Sequence, residues 1–187
     1  MFEIKLIEYA SETIKVIARN MDHATFQRSD WITDEDAALI YSRKNCIIWL
    51  TTDQEPSGYI TIVPINNQLP NISINTNKPI YKLLTKANLN EVGKGVLYCH
   101  CILILPKFRG QGLIYHLYEG LKTWLEQNGS TYSDIYADAI SIEGRKSLER
   151  IGFQPIHAMP GMGTLYFSER TNVINTIERL LQANRYK

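Results

Sequence analysis

The segment from Val96 to Gly129 constrains the fold of this chain more than any other. "VLYCHCILIL" is an apolar run rich in β-formers, the composition of a strand covered on both faces. It passes through P-K-F-R-G-Q-G into a stretch where Leu113, Ile114, Leu117, Leu121, Trp124 and Leu125 recur at helical spacing. A buried strand feeding an amphipathic helix calls for a layered sheet with helices on it. The junction is unusual in holding two glycines, Gly110 and Gly112, where a plain turn needs one. A helix start presents unpaired N–H groups and the positive end of the helix dipole. Glycine lets an anion come close to them, and Arg109 can add a charge-assisted bond. The turn is therefore a candidate anion site; a merely softened strand-to-helix turn is the structural alternative. It is neither a P-loop, lacking Gly-Lys-Ser/Thr, nor a Rossmann turn, because Tyr115 stands where the third glycine belongs.

The rest of the chain supplies strands and helices around this unit. "FEIKLIEY" alternates as a first strand, and Ser11 caps a helix through about Asn20. Thr33 with Asp36 forms a capping-box pattern opening a second helix. "CIIWLTT" and "GYITIVPI" read as strands joined by a turn at Glu55–Gly58. Residues 66–79, rich in asparagine and proline, read as a loop before a short helix at Ile80–Ala87. Gly129 ends the helix after the glycine turn. "DIYADAI" is a further strand, Ser141 precedes a short helix ending near Gly152, and "FQPIHA" and "GTLYFSE" are strands. Thr171 caps a last helix with Val173, Ile174, Ile177, Leu180 and Leu181 on one face.

A chain of 187 residues suits one domain and buries a core without staples. Its net charge of +1 gives no argument for nucleic acid or an acidic membrane surface, so any anion site is local. No apolar run approaches membrane-spanning length, and the charged N-terminus does not read as a signal peptide. Cys46, Cys99 and Cys101 are odd in number. Strict alternation puts Cys99 and Cys101 on one strand face, where a disulfide would strain the strand. Reduced, buried thiols, no metal site and a cytoplasmic location are expected.

P-K-F-R-G-Q-G after an apolar strand, with "SIEGRKSLERIGF" later in the chain, resembles the GNAT superfamily of acyl-CoA N-acyltransferases. Arg109, Gly112 and Ile114 take the key positions of that family's Arg/Gln-x-x-Gly-x-Gly/Ala loop, Ile114 replacing a small residue. Gly152-Phe153 matches the pair that commonly ends the family's later helix. The resemblance covers about residues 96–167 closely, and implies one α/β (α+β) domain over 1–187 ending in a helix at about 171–184. Its central sheet would be mixed, mostly antiparallel and splayed at the coenzyme, with helices on both faces. It further implies acetyl-CoA as cosubstrate. Pantetheine would pair with the backbone of Ile102, Leu103 and Ile104. The pyrophosphate would rest on Arg109, Gly110, Gln111, Gly112, Leu113 and Ile114.

The implied chemistry is direct attack of an amine on a thioester. In the arylalkylamine branch, histidines stand where Tyr98 and His100 stand here, which makes this pair the candidates for the proton path; a core histidine is the alternative. Ser141 replaces a common pantetheine-binding Asn, and Leu148 replaces a common Tyr that is a candidate acid for the thiolate. Tyr136 and Tyr166 are conceivable substitutes. Arg145 and Ser147 share a helix that can reach the coenzyme or face solvent. Acceptor choice is expected from residues 11–45 and 66–77, where Asp30, Asp34, Glu35 and Asp36 can attract a cation or stabilise a helix start. Trp31, Tyr41 and Tyr59 are candidates for lining the acceptor pocket. Two readings follow: an N-acetyltransferase acting on an amine, or a non-catalytic acyl-CoA-binding regulatory protein. A homodimer through the last helix is a further expectation.

Overall fold

In the computed structural model, which describes residues 1–27, 33–90, 93–128 and 130–185, seven strands form one sheet. They are Phe2–Ile7 (β1), Ile47–Thr52 (β2), Glu55–Ile65 (β3), Val96–Ile104 (β4), Asp134–Ala139 (β5), Gln154–Met159 (β6) and Gly163–Glu169 (β7). Their order is β1-β2-β3-β4-β5-β7-β6. Every neighbouring pair is antiparallel except β4 and β5. Six α-helices accompany them: Glu12–Thr25 (α1), Asp34–Tyr41 (α2), Leu69–Thr76 (α3), Ile114–Asn128 (α4), Ile142–Arg150 (α5) and Arg170–Arg185 (α6). The mixed, mostly antiparallel α/β architecture expected from the sequence is the one observed.

Alternation along the strands divides the core in two. On one face Ile47, Trp49, Tyr59, Val63, Tyr98 and Leu103 pack with Ala18 and Met21 of α1 and Ile40 of α2. On the other, Ile48, Leu50, Ile60, Ile62 and Leu97 pack with Leu117, Leu121, Trp124 and Leu125 of α4 and Val173 and Ile177 of α6. Both faces are covered, which is why β3 and β4 read as nearly unbroken apolar runs. Each core Leu or Ile contributes about 1.5–3 kcal/mol by leaving water.

The caps follow local chemistry. Ser11 Oγ accepts from the Ile14 N–H at 3.3 Å, and α1 continues past Asn20 to Thr25. Thr33 Oγ1 accepts from the Asp36 N–H at 3.1 Å and donates to its carboxylate at 2.8 Å. Other expectations are corrected. Residues 66–79 hold helix α3, because the Asn66 side chain accepts the Gln68 N–H and Asn77 closes the helix in the left-handed region at φ 53. The helix expected at Ile80–Ala87 is a single 3-10 turn, Ile80–Lys82. The β2–β3 turn is Asp53-Gln54, both at positive φ, a two-residue hairpin whose twist matches the strands. Thr171 does not cap α6, which begins at Arg170. Gly129, Asp30 and Trp31 lie outside the described residues.

Cys99 and Cys101 do not share a face. Thr61 pairs with Cys101 and Ile62 with Cys99, so His100 is an extra residue bulged out of β4. The insertion resets the alternation: Cys99 joins the α4 core and Cys101 the α1 core. All three thiols are free and buried, and burial pushes those of Cys46 and Cys99 up to about 12.

Gly58 sets the approach of β3 to the tip of β4. A Cβ there would lie 2.6 Å from the Leu103 carbonyl oxygen and 2.7 Å from Ile104 Cδ1. Gly58→Ala is expected to destabilise the protein by about 1–3 kcal/mol through overpacking, read as a lower urea midpoint at unchanged slope.

Candidate active site

β4 and β5 pair only at Leu97–Ile135, Tyr98–Tyr136 and Cys99–Ala137. Beyond Cys99 they diverge, while β4 stays paired to β3 as far as Ile104. The gap is the floor of a cavity of about 490 Å³, lined on its β4 side continuously from Tyr98 to Ile104. Ile102, Leu103 and Ile104 border it, with Ile102 and Ile104 half-buried.

One end of the cavity is the glycine turn. Gly110 and Gly112 have φ of 77 and 74, values that L residues rarely adopt. A Cβ at Gly110 would meet nothing within 4 Å, so the space above the loop is open. The first α4-type bonds run from Tyr115 to Gly112 and from Leu117 to Leu113. The N–H groups of Gly110 through Ile114 therefore have no partner among the described residues, and they head the α4 dipole. Arg109 is exposed, and its Nε donates to the Ile104 carbonyl at 3.1 Å, tying the loop to the strand tip. A bare row of N–H groups at a helix start fits a pyrophosphate, and the unpaired β4 edge fits an extended amide-bearing arm. Gly110, Gly112, Leu113 and Ile114 line the cavity with Arg109; the exposed Gln111 side chain turns back to the Lys107 carbonyl at 3.4 Å.

The opposite wall comes from β5 and α5. Ser141 is the α5 N-cap, its Oγ accepting from the Gly144 N–H at 2.9 Å while lining the cavity. Ser147 also lines it, sharing a hydrogen bond of 2.7 Å with the hydroxyl of Tyr118 from α4. Leu148 is buried there and can donate no proton. Arg145 is not among the lining residues: neighbouring positions of a helix face different directions, and it borders a separate depression beside the β6–β7 turn. Neither Tyr136, which is tilted against Phe167, nor Tyr166, which donates to Glu149 at 2.9 Å, lines the cavity.

On the α1 face of the fork the cavity is polar. Tyr98 and His100 stand 6.0 Å apart, ring edge to ring face. Thr61 Oγ1 and His100 Nδ1 share a hydrogen bond of 3.2 Å, which leaves Nε2 for a ligand. Burial, and then the nearby Arg19 guanidinium, lower the His100 pKa to about 4, so the ring is neutral near pH 7. Tyr98 donates to Asp138 Oδ2 at 2.8 Å. Burial raises Asp138 to about 6, partly offset by the Tyr98 hydroxyl and the N–H groups of Ile80 and Tyr81.

Deeper in α1, Asp22 accepts hydrogen bonds from the hydroxyls of Tyr41, at 2.9 Å, and Tyr59. Burial raises its pKa. Tyr41 and Tyr59 thus stand behind the pocket wall holding Asp22 rather than forming the wall themselves. Arg19 lines the cavity and pairs with Asp34 at 2.6 Å, so that acid of the α2 start is engaged by the protein itself. The sequence reading missed Asp22, Asp138, Arg19 and Tyr118. The available signal was an aspartate between two alanines on a central strand, and the extension of the α1 stripe to Met21.

A mixed sheet forked between two parallel strands, with a bare helix start at one end of the fork, defines an α/β transferase-type domain. The chain belongs to the Acetyltransferase (GNAT) family, whose family model matches residues 12–153. No curated protein matches the sequence. Among solved structures, the loading GNATL domain of CurA from Lyngbya majuscula is 14% identical with a TM-score of 0.72, over 91% of this chain and 98% of that one. Arabidopsis thaliana Naa50, in complex with the bisubstrate analogue CoA-Ac-MVNAL, is 11% identical with a TM-score of 0.60, over 89% and 97%. The Escherichia coli ribosomal-protein-S18-alanine N-acetyltransferase is 14% identical with a TM-score of 0.56, over 90% and 94%. At such identities the likeness is one of fold.

The two titrating groups at the fork oppose each other in stability. His100, lowered from 6.5 to about 4, makes the unfolded chain bind more protons between those values, so its contribution rises with pH. Asp138, raised from 3.8 to about 6, makes the folded chain bind more, so its contribution falls as pH rises through that window. His100→Gln is therefore expected to lose stability relative to the parent between about pH 4.5 and 7.5, and Asp138→Asn to gain it, each on the order of 2–3 kcal/mol. Urea unfolding at the two pH values checks both signs.

Proposed function

We propose that this protein is an acetyl-CoA-dependent N-acetyltransferase that moves an acetyl group to a primary amine by direct attack in a ternary complex. The observation that supports it most is one continuous cavity joining the unpartnered N–H row of the glycine turn to the polar wall at Tyr98 and His100. The amine acceptor named for the Escherichia coli relative, and the coenzyme-linked analogue bound by the Arabidopsis one, support the same reading.

In this mechanism the backbone N–H groups of Gly110–Ile114 hold the pyrophosphate, and the edge of Ile102–Ile104 holds the pantetheine arm. Bound acetyl-CoA supplies an acyl group activated as a thioester. The amine enters from the α1 face, past Phe26 and Tyr81. It must be neutral to attack, and Tyr98 and His100 border the path of its proton. His100, being neutral, serves as a hydrogen-bonding group that orients the nitrogen. Ser147 with Tyr118 faces the thiol end, and buried reduced thiols suit a cytoplasmic setting.

Thiol release from acetyl-CoA over a panel of amines tests the reading, and turnover on none of them would reject it. Leu148, buried in the cavity wall without a proton to give, favours the second reading of a coenzyme-binding regulator, which predicts tight binding with no turnover. For the loop, Gly112→Val puts a branched side chain at φ 74 over the N–H row. Coenzyme affinity is expected to fall at least about tenfold, or 1.4 kcal/mol, in calorimetry on the folded variant. Unchanged affinity would remove the pyrophosphate from this loop.

A further inference from the structure

Asp138 occupies a place that the fold does not need to fill with a charge. It lies on β5 one residue past Ala137, the last position paired to β4, so it stands at the crotch of the fork. Its neighbours in the strand, Ala137 and Ala139, are buried toward the α4 core, while Asp138 turns to the α1 side and lines the cavity with Tyr98 and His100. One carboxylate oxygen is fixed by the Tyr98 hydroxyl at 2.8 Å. The other, Oδ1, is buried and makes no hydrogen bond among the described residues, the backbone N–H groups of Ile80 and Tyr81 lying near enough to the carboxylate only to favour its charged form. A buried carboxylate oxygen left open is costly to the folded protein, and such groups gather at functional sites. Tyr98 is itself fully buried, so the carboxylate is held in one orientation with Oδ1 as its free end.

We infer that Asp138 is the catalytic base of the acetyl transfer, receiving the proton of the acceptor ammonium on Oδ1 while Tyr98 positions it through Oδ2. This rests on the N-acetyltransferase reading and assigns the proton step within it. One proton passes from the ammonium nitrogen to Asp138. The neutral nitrogen then forms its bond to the thioester carbonyl carbon, and the carbon–sulfur bond breaks with its electron pair leaving on sulfur. The second nitrogen proton neutralises the sulfur as a thiol, and Asp138 returns its own proton to water. Per turnover one amide, one thiol and one proton are released.

The alternatives at the fork are poorer bases. His100 is lowered to about 4, and Tyr98 is raised well above its ordinary 10 by burial and the neighbouring Asp138. Asp138, at about 6, is ionised at neutral pH and closest to the working range. The ionisable groups around it are Tyr98 and His100 of β4 and Tyr81 of the 3-10 turn. Across the cavity stand Arg19 and Asp22 of α1, with Glu143 and Lys146 of α5 on the coenzyme side.

The test uses the whole 187-residue chain with acetyl-CoA and an amine that the parent acetylates; absence of any such amine would overturn the transferase reading and this assignment with it, whereas the variants below overturn the assignment alone. In Asp138→Asn, kcat is expected to fall at least about 100-fold while coenzyme affinity in calorimetry stays within about twofold. Retention of kcat within about threefold would overturn the assignment. The defect is expected to narrow for amines whose conjugate acid is already deprotonated at the assay pH. A second measurement does not depend on that variant folding. The acid limb of the parent's kcat/KM profile should persist in His100→Ala and move to higher pH in Tyr98→Phe, because the lost hydrogen bond stabilised the carboxylate. Disappearance of the limb in His100→Ala, or no movement in Tyr98→Phe, would assign the base elsewhere.

Discussion

Pairing between β4 and β5 ends at Cys99 and Ala137, and a sheet cannot stop pairing in its middle without consequence. Backbone donors and acceptors freed inside a protein must find partners, because leaving them bare costs about as much as the lost bonds. At a sheet margin water satisfies them. Here α4 and α5 close over one end of the gap and α1 over the other, so the freed edge faces a cavity. The remaining features respond to that one break: the glycine turn at the mouth, the bulge that swings His100 inward, and the carboxylate at the crotch.

The break divides the chemistry as it divides the core. On the α4 side the fork meets Tyr118, Ser147 and Leu148 beside the row of N–H groups, a wall suited to a long phosphorylated ligand. On the α1 side it meets Asp22, Tyr98, His100 and Asp138, a wall of fixed hydrogen-bonding groups. Burial acts on the titrating members in the direction that keeps them uncharged. It makes the imidazole a weak base and the Asp138 carboxylate a stronger one, which reverses the order these side chains have in water.

The central strand, the glycine turn and α4 were legible because their periodicities are unmixed: a buried run, then a stripe at helical spacing. The first two caps were legible for a similar reason, since Ser11 and Thr33 stand directly before their apolar stripes. The bulge at His100 was not. A one-residue insertion shows only when polar residues alternate with apolar ones, and β4 is apolar on both faces, so nothing in "YCHCI" marks the shift that separates Cys99 from Cys101. Helix α3 hid behind its asparagines: Asn66 makes a turn into it through its side chain, and Asn77 closes it with a left-handed backbone rather than preventing it. Asp138 was visible as a residue but not as a site, because its meaning depends on where β4 leaves β5. Asp22 needed Tyr41 and Tyr59, distant in sequence, to appear as one unit.

The hydroxyls of Tyr41 and Tyr59 reach Asp22 from α2 and β3, so one carboxylate ties α1 to both of the elements behind it. These two bonds oppose any slide of α1 along the sheet. Under the proposed function, the α1 side of the cavity would act as a gauge of fixed bore, and a change of guest would come by exchanging residues that line it, such as Thr25 and Phe26, rather than by opening it. Because those residues sit across the sheet from the glycine turn, such exchanges would re-tool the proposed enzyme for a new acceptor and leave the proposed donor site as it is.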